Sequence, residues 1–273
     1  MSNPMSTLLV ELFVEELPPK ALKKLGEAFA GTLALSLSQQ GLIDGNALAR
    51  TQSFASPRRL AVSVPEVCSK ADDRAVQQKL MPVAVALDAN GNATPALLKK
   101  LAALGADASV VPSLKRQPDG KAEALFLDSL VPGATLAEGL QKALLEAIAK
   151  LPIPKVMGYQ LQDGWSTVHF VRPAHRLVAL HGREVVPVQA LGLQAGRITQ
   201  GHRFEATQPL IELVEADSYS RQLETDGAVI AGFEARRSEI RRQLDAAAAK
   251  EGLTPIDDDA LLDEVTALVE RPN

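Results

Sequence analysis

The chain has 273 residues, of which 46% are hydrophobic, 4% aromatic and 23% charged, and its formal net charge is −4. This is an ordinary globular composition with enough apolar residues for a core, and the length suits one large or two modest domains. The net negative charge argues against a protein that coats nucleic acid without selectivity. The single cysteine, Cys68, excludes an internal disulfide and a four-cysteine metal site.

The first part of the chain is predicted to form a strand, a helix and a second strand. The apolar run TLLVELFV at 7–14 predicts a buried strand, in which Glu11 is the odd polar member. After two prolines, apolar residues recur at three- and four-residue spacing, which predicts an amphipathic helix over 20–41. The run RLAVSVPEV predicts a strand over 59–67.

The middle of the chain is predicted to contain short helices and strands. We predict a helix over 95–104 and a strand over 123–130, which follows the hairpin-type turn Pro-Asp-Gly at 118–120. Another helix is predicted over 135–150, because its apolar residues share one face and it opens with a Thr-x-x-Glu capping box.

The remainder is predicted to change from strands to helices. Two prolines make LPIPK at 151–155 an extended connector. Strands are predicted next, at 167–171, 176–180 and 184–193. A loop over 196–204, a charged, solvent-facing helix over 227–250 and an amphipathic helix over 259–270 complete the chain. The fold class predicted is α+β, with mixed or antiparallel sheet regions, packed helices and a helical end.

Three regions are expected along the chain: an α+β region over 1–150, a β-rich basic region over 151–205 and a helical segment over 206–273. Residues 151–203 contain six Lys or Arg against two Asp or Glu, whereas residues 204–273 contain seven against sixteen. This contrast is compatible with a selective RNA contact beside a protein contact. Solvated surface charge explains the same pattern and stays open as an alternative.

The sequence contains no phosphate-binding loop, dinucleotide-binding fingerprint, nucleophile elbow or HExxH motif, so we expect no catalytic residue in it. Four histidines fall within 34 residues, at 169, 175, 181 and 202. Their spacing is poor for a metal, and structural roles such as bonding to a backbone carbonyl are favoured. Glu15 and Glu16 are adjacent at a strand end and point to opposite faces, so they are not expected to share a site.

The candidate site is a set of cations on predicted turns. The planar guanidinium of arginine suits phosphate oxygens, and rigid loops lower the cost of ordering such contacts. The candidates for phosphate contact are Arg58, Arg59, Lys155, Arg172, Arg176, Arg197, His202 and Arg203. Internal pairing of these cations with acids such as Glu15, Glu16 or Glu184 is the alternative.

Specific strings along the chain resemble a known family. They are LVELFVEELPPKAL (9–22), SPRRLAV (56–62), LPIPKVM (151–157), VHFVRPAHRLVAL (168–180), ITQGHRF (198–204) and LLDEVTALVERP (261–272). In this order they resemble the amino-terminal part of the β subunit of the bacterial two-subunit glycyl-tRNA synthetase. Phe13-Val14 stands where Gly-Thr is common, and residues 69–130 match only weakly.

The resemblance implies a non-catalytic role in a ligase. In this family the α subunit is the class II catalytic core that uses ATP, Mg²⁺ and glycine, and the β subunit supplies tRNA recognition. The resemblance therefore implies an α₂β₂ assembly with the α subunit, contact with tRNA(Gly), no cofactor bound by this chain, and continuation into further domains. We expect a cytoplasmic protein with no membrane or DNA contact, because neither a signal peptide nor a membrane-length apolar run is present.

Two other interpretations remain open. In the first, the region is a structural scaffold and subunit interface without tRNA contact, and Arg58, Arg172 and Arg203 are buried against carboxylates. In the second, it is a hydrolytic editing-type domain, which predicts a cleft that gathers His169, His175 or His202 with a carboxylate.

Overall fold

The structure is a computed structural model that describes residues 4–88, 90–120 and 122–273. The helices in these residues are α1 (Pro19–Gln39), α2 (Gly45–Ala49), α3 (Val83–Ala86), α4 (Pro95–Ala103), α5 (Leu136–Ala149), α6 (Tyr219–Thr225), α7 (Phe233–Lys250) and α8 (Asp259–Thr266). The first strands are β1 (Met5–Val14), β2 (Gln52–Ser56), β3 (Arg59–Cys68), β4 (Arg74–Pro82), β5 (Lys115–Asp119), β6 (Ala122–Val131) and β7 (Met157–Gln160). The later strands are β8 (Thr167–Phe170), β9 (Ala174–His181), β10 (Glu184–Val185), β11 (Gln189–Ala190), β12 (Leu193–Gly196), β13 (Ile198–Gln200) and β14 (Leu210–Glu212).

The chain forms two compact units, one of residues up to Ala71 together with Ala134–Asn273, and the other of Asp72–Gly133. This division differs from the predicted regions 1–150, 151–205 and 206–273. It differs because strands and helices from all three regions share one core in the first unit: β1 pairs with β9, and α1 packs against α5 and α8.

The larger unit is built on a seven-stranded sheet with the order β11-β12-β9-β1-β3-β2, and β10 pairs with β9. Strand β1 lies in the centre and is antiparallel to both neighbours, whereas β12 is parallel to β9. The predicted α+β class with mixed and antiparallel sheet is therefore confirmed. A central strand is covered on both faces, which explains the nearly continuous apolar run of β1.

Alternate residues of β1 point to opposite faces of the sheet. Leu8, Leu12 and their neighbours at every second position lie in a core that includes residues of α1 and α5. Leu9 lies on the other face, in a second core whose covering residues come from the segment after β12. These covering residues are Ile211, Leu213, Ala216, Tyr219, Leu223, Val229 and Ala231. Glu11 also lies on this second face, and its carboxylate is fully buried.

The smaller unit has a three-stranded antiparallel sheet, β4-β6-β5, with α3 and α4. Its core is formed by Leu80, Ala86, Leu97, Leu101, Leu125 and Leu127. The helix predicted at 95–104 and the strand predicted at 123–130 correspond to α4 and β6. Strand β4 was not predicted, because its residues RAVQQKLMP are mostly exposed and lack an apolar alternation.

Within the larger unit, the residues on either side of Asp72–Gly133 lie side by side. Lys70 and Thr135 form an isolated antiparallel bridge. Ala71 N donates to Ala134 O at 2.9 Å, and Leu136 N donates to Ser69 O at 2.9 Å. Thr135 also caps α5 in the predicted capping box with Glu138.

Two predicted elements differ in their extent. The strand predicted at 184–193 is divided into β10, β11 and the start of β12, because Pro187 interrupts it and Leu191 and Gly192 turn the chain with φ of 54° and 78°. The helix predicted from 227 begins only at Phe233. In the described residues, no helix combines the length and the apolar character needed to cross a membrane.

Candidate nucleic-acid interface

A buried polar network lies on the second face of the sheet, around Glu11. The hydroxyls of Thr199 and Tyr219 donate to its two carboxylate oxygens. Arg59 Nε is 3.6 Å from Glu11 Oε2 and makes no hydrogen bond to any residue that the structure describes. Burial raises the pKa of the Tyr219 phenol well above its ordinary value, and the negative charge of Glu11 adds to this effect.

Glu270 is the second carboxylate of the network and pairs with two arginines. Arg58 Nη2 donates to Glu270 Oε2 at 2.9 Å, and Arg59 Nη1 donates to Glu270 Oε1 at 3.1 Å. Burial works to lower the pKa of Arg59, but the nearby carboxylates of Glu270 and Glu11 more than offset it, so the pKa lies above the ordinary value. Arg59 therefore stays charged although its side chain has no exposed surface.

A third buried arginine, Arg236 of α7, is satisfied by backbone carbonyls. Its Nη2 donates to Ala55 O at 2.8 Å, its Nη1 to Ile230 O at 2.7 Å and its Nε to Thr266 O at 3.0 Å. Burial, with the positive charge of Arg59 as a second cause, lowers the pKa of Arg236 to about 10. Arg236 thus joins the edge strand β2 to the helices at the end of the chain.

The network joins segments that are far apart in the sequence. Glu11, Arg58 and Arg59 come from the first sixty residues, whereas Thr199 and Glu270 come from the last seventy-five. Arg59 Nη2 also donates to the carbonyl of Gln200 at 2.7 Å, and Arg58 Nη2 donates to the carbonyl of Gly201 at 3.0 Å. Four of the six strings that carry the family resemblance, at 9–22, 56–62, 198–204 and 261–272, therefore meet at one place.

Arg58 and Arg59 were predicted as candidates for phosphate contact, but their geometry is that of internal ion pairs. Arg59 has no exposed side-chain surface with which to meet a phosphate, and only 10% of the Arg58 side chain is exposed. Both guanidinium groups also lie over the ring of Phe13, whose centre is 5.1 Å from Arg58 Cζ and 5.5 Å from Arg59 Cζ. These two arginines hold the fold together beneath the surface.

Three adjoining clefts open above this network, with volumes of about 350, 210 and 390 Å³. The first is lined by residues that include Glu15, Arg58, His175 and His202. Arg203 lines all three clefts and is exposed, and it has no ion-pair or hydrogen-bond partner among the described residues.

Arg172 lines the third cleft and is half-buried. Its Nε donates to Glu16 O at 2.9 Å, and its Nη1 donates to Val171 O at 3.1 Å. These acceptors are neutral, so the guanidinium keeps an uncompensated positive charge. Arg172 and Arg203 therefore form a cationic rim, which we define as these two residues.

His202 shapes the loop that carries Arg203. Its Nδ1 accepts hydrogen bonds from the backbone N–H of Phe204 at 3.3 Å and of Glu205 at 3.2 Å, which places the proton of the neutral ring on Nε2. The backbone N–H of His202 donates to Gly227 O at 2.7 Å. The side chain thus stabilises a tight turn and leaves the following residues in solvent.

Three other predicted candidates, Arg197, Arg176 and Lys155, are not part of the cationic rim. Arg197 lies beyond the opposite end of β9, where its Nη2 donates to Arg183 O at 2.6 Å. Arg176 is half-buried on β9, and its Nε has no hydrogen-bond partner among the described residues. Lys155 is exposed in the connector before β7 and has no partner in the described part of the chain. Sequence reasoning missed Phe204, whose side chain is 86% exposed.

The histidines have separate surroundings. His181 Nε2 bonds to Val67 O at 2.8 Å, as expected for a structural histidine. His175 Nε2 lies 2.9 Å from Glu15 Oε1 at the first cleft. Within residues 4–88, 90–120 and 122–273, no group of three or more His, Cys, Asp or Glu side chains is arranged to hold a metal ion.

The fold and the network define an α+β protein whose distant motifs meet at one surface, and comparison with known proteins gives its family. The model of the family described as "Glycyl-tRNA synthetase beta subunit" matches residues 8–273. The chain therefore belongs to the glycyl-tRNA synthetase beta subunit family.

Individual relatives agree with this assignment. A protein of Leptothrix cholodnii named "Glycine--tRNA ligase beta subunit" is 78% identical over all of this chain and 38% of its own length. Proteins with the same name from Acidovorax ebreus and Methylobacillus flagellatus are 69% and 67% identical, over 97% and 98% of this chain and 37% and 39% of their own lengths. The chain thus spans less than two fifths of the length of these curated relatives.

Proposed function

We propose that this chain acts as part of the beta subunit of a glycine–tRNA ligase and supports the ATP-dependent attachment of glycine to tRNA(Gly). Its family and the printed names of its relatives support this role. A subunit called beta requires an alpha partner, and we propose an α₂β₂ assembly in the cytoplasm. ATP and Mg²⁺ would be used by the alpha subunit, and this chain would contribute tRNA binding and assembly.

The observation that carries the proposed tRNA contact is the cationic rim of Arg172 and Arg203. Arg203 is exposed without a partner among the described residues, at the junction of three clefts. Of the acids nearby, Glu270 is already paired with Arg58 and Arg59, and Glu15 is hydrogen-bonded to His175. A backbone phosphate would be bound there by charge and without reading of sequence.

The test is charge reversal in the assembled synthetase. We expect Arg203→Glu combined with Arg172→Glu to weaken tRNA binding. The dependence of log K on log salt should also become shallower, by about 0.7–0.9 for each phosphate that the variant no longer neutralises. Lys142→Glu is the control, since Lys142 is exposed on α5, whose residue Gly139 packs at the far end of α1. Equal affinities and salt slopes for the double variant, the control and the parent enzyme would refute the proposed role of the rim.

The scaffold interpretation is supported by the buried pairs of Arg58 and Arg59, but Arg203 lies outside it because it is exposed. These two roles are compatible, since internal ion pairs can position a surface that binds RNA. We therefore assign stabilisation of the fold to the buried arginines and tRNA contact to the rim.

One observation favours a second function, hydrolysis of an ester bond on tRNA. The editing interpretation required a cleft with a histidine and a carboxylate, and His175 and Glu15 meet 2.9 Å apart in the first cleft. Such a pair can act as a general base on water. The measurement is the rate of deacylation of a mischarged tRNA: a rate that His175→Ala leaves unchanged would exclude this function.

A further inference from the structure

Phe204 is an aromatic ring that a rigid turn holds in solvent. Its side chain is 86% exposed, and its ring centre lies 6.2 Å from that of His202 in an edge-on arrangement. The turn is fixed from several sides, because Ala206 N donates to His202 O at 3.3 Å and Gly201 N donates to Pro209 O at 3.4 Å. Exposure of this ring is therefore built into the turn.

The turn also has no room for a side chain at its first residue, Gly201. A Cβ atom on Gly201 would lie 2.6 Å from Ala206 Cβ and 2.8 Å from Gly227 Cα. Close packing of this kind restrains the backbone at the start of the turn. The backbone that carries Arg203 and Phe204 is thus preorganised, and a ligand would not have to order it.

The ring faces a small cleft with a positive rim. The cleft of about 210 Å³ is lined by residues that include Phe204, Arg203, Leu268 and Arg271. An α-helix about 10 Å across does not fit a space of this size, whereas one planar base does. Exposed aromatic rings beside arginines are the usual platforms for unpaired bases, because any base can stack on the ring while the cations hold the backbone.

The carboxylates around the ring are mostly neutralised. Glu205 is paired with Arg271 at 4.0 Å and accepts a hydrogen bond from Asn273 at 2.9 Å. Glu270 lies in the buried network. Glu16 is the exposed carboxylate of this cleft that has no ion-pair partner among the described residues. A phosphate next to a base on Phe204 would therefore meet Arg203 with little opposing charge.

We propose that Phe204 is a stacking platform for one unpaired base of RNA and that Arg203 binds the phosphate next to that base. This inference rests on the proposed tRNA contact and narrows it, because it requires a single-stranded part of the tRNA at this cleft. A paired stem would present its phosphates to the rim but would not reach the ring with a free base face.

The experiment uses the assembled synthetase and tRNA that carries the fluorescent base 2-aminopurine at one unpaired position at a time. Stacking on an aromatic ring quenches this probe. We expect quenching at one position in the parent enzyme and in Phe204→Tyr, which keeps the ring. Phe204→Leu keeps an apolar side chain without a ring, and we expect it to abolish the quenching and to weaken binding roughly 5- to 100-fold.

The outcomes separate this inference from the proposed function. If Phe204→Leu binds and quenches like the parent while Arg203→Glu binds weakly, stacking is overturned and the tRNA contact stands. If neither variant changes tRNA binding, both are overturned. If Phe204→Leu and Phe204→Ala instead reduce capture of the alpha subunit and leave the probe signal intact, the ring contacts protein, which also overturns the stacking. The exposed position of Phe204 means that none of these variants should alter thermal unfolding, and that measurement is the control for folding.

Discussion

Replacement of Glu270 by alanine tests whether the buried network holds the larger unit together. The Glu270 side chain is 7% exposed and accepts hydrogen bonds from Arg58 and Arg59 at 2.9 and 3.1 Å. Without it, two arginines keep their charge in the interior while one of their counter-charges is removed. Removal of one partner of a buried ion pair costs about 3–5 kcal/mol, whereas typical domains are stable by about 5–15 kcal/mol. Glu270→Ala should therefore remove a large part of the stability of the larger unit.

The assay is denaturant unfolding, combined with hydrogen exchange of the peptides that contain β1 and β3. Exchange in these strands reports on the larger unit alone, so separate unfolding of the smaller unit does not distort the result. Glu224→Ala is the matched control, because Glu224 is exposed on α6 and its replacement should change stability by no more than about 0.5 kcal/mol.

A partial rescue is expected from a neutral side chain of the same shape. Glu270→Gln keeps an acceptor for one arginine, so its cost should fall between those of Glu270→Ala and the parent. If Glu270→Ala and Glu224→Ala destabilise the protein equally, the ion pairs contribute no more than surface charges, and the network is not what holds the last helix to the sheet.

Three further predictions concern Tyr219, Gly201 and Glu16. In a Tyr159→Phe variant, Tyr219 is the remaining tyrosine. Its raised pKa means that the folded state favours the neutral phenol over the phenolate. This contribution to stability is complete below the ordinary pKa of 10.0 and is lost as the pH rises above that value. The phenolate absorbance should therefore appear only together with alkaline unfolding, and its appearance in the folded protein would contradict the burial of Tyr219. Gly201→Ala brings a Cβ within 2.8 Å of the backbone of Gly227, so it should cost about 1–3 kcal/mol in thermal unfolding and weaken tRNA binding, although no cation is removed. Glu16→Gln should strengthen tRNA binding about two- to five-fold in a filter-binding assay at low salt, and an unchanged affinity would place the phosphate elsewhere.

The main elements of the fold could be predicted because their patterns are local. The apolar run of β1, the three- and four-residue spacing in α1 and the capping box of α5 each report on a few neighbouring residues. Strand β4 could not be predicted in this way, since it becomes a strand by pairing with β6 some fifty residues later.

The site was harder to predict because residue type does not reveal burial. Arg59 opens a predicted strand and Arg203 lies in a predicted loop, and both were candidates for phosphate contact, yet one is buried and the other exposed. The difference is made by Glu270, which lies 211 positions after Arg59. One signal was present in the sequence: a carboxylate in an apolar strand, such as Glu11, has to find partners in the interior. The aromatic ring of Phe204 gave no such signal, because single exposed rings are common on protein surfaces. Only the structure shows that its turn places it beside Arg203 at a cleft.

The bridge between Lys70 and Thr135 has a consequence for insertions and deletions in this sequence. The residues that flank Asp72–Gly133 pair with each other in a short antiparallel ladder, so the two chain positions that the segment connects are already adjacent. Shortening, exchange or complete excision of the intervening residues would leave the ends of the ladder where they are, and a tight turn could connect them. Replacement of Asp72–Gly133 by a short turn should therefore keep the pairing of Lys70 with Thr135, which makes this segment a natural point for insertion and deletion.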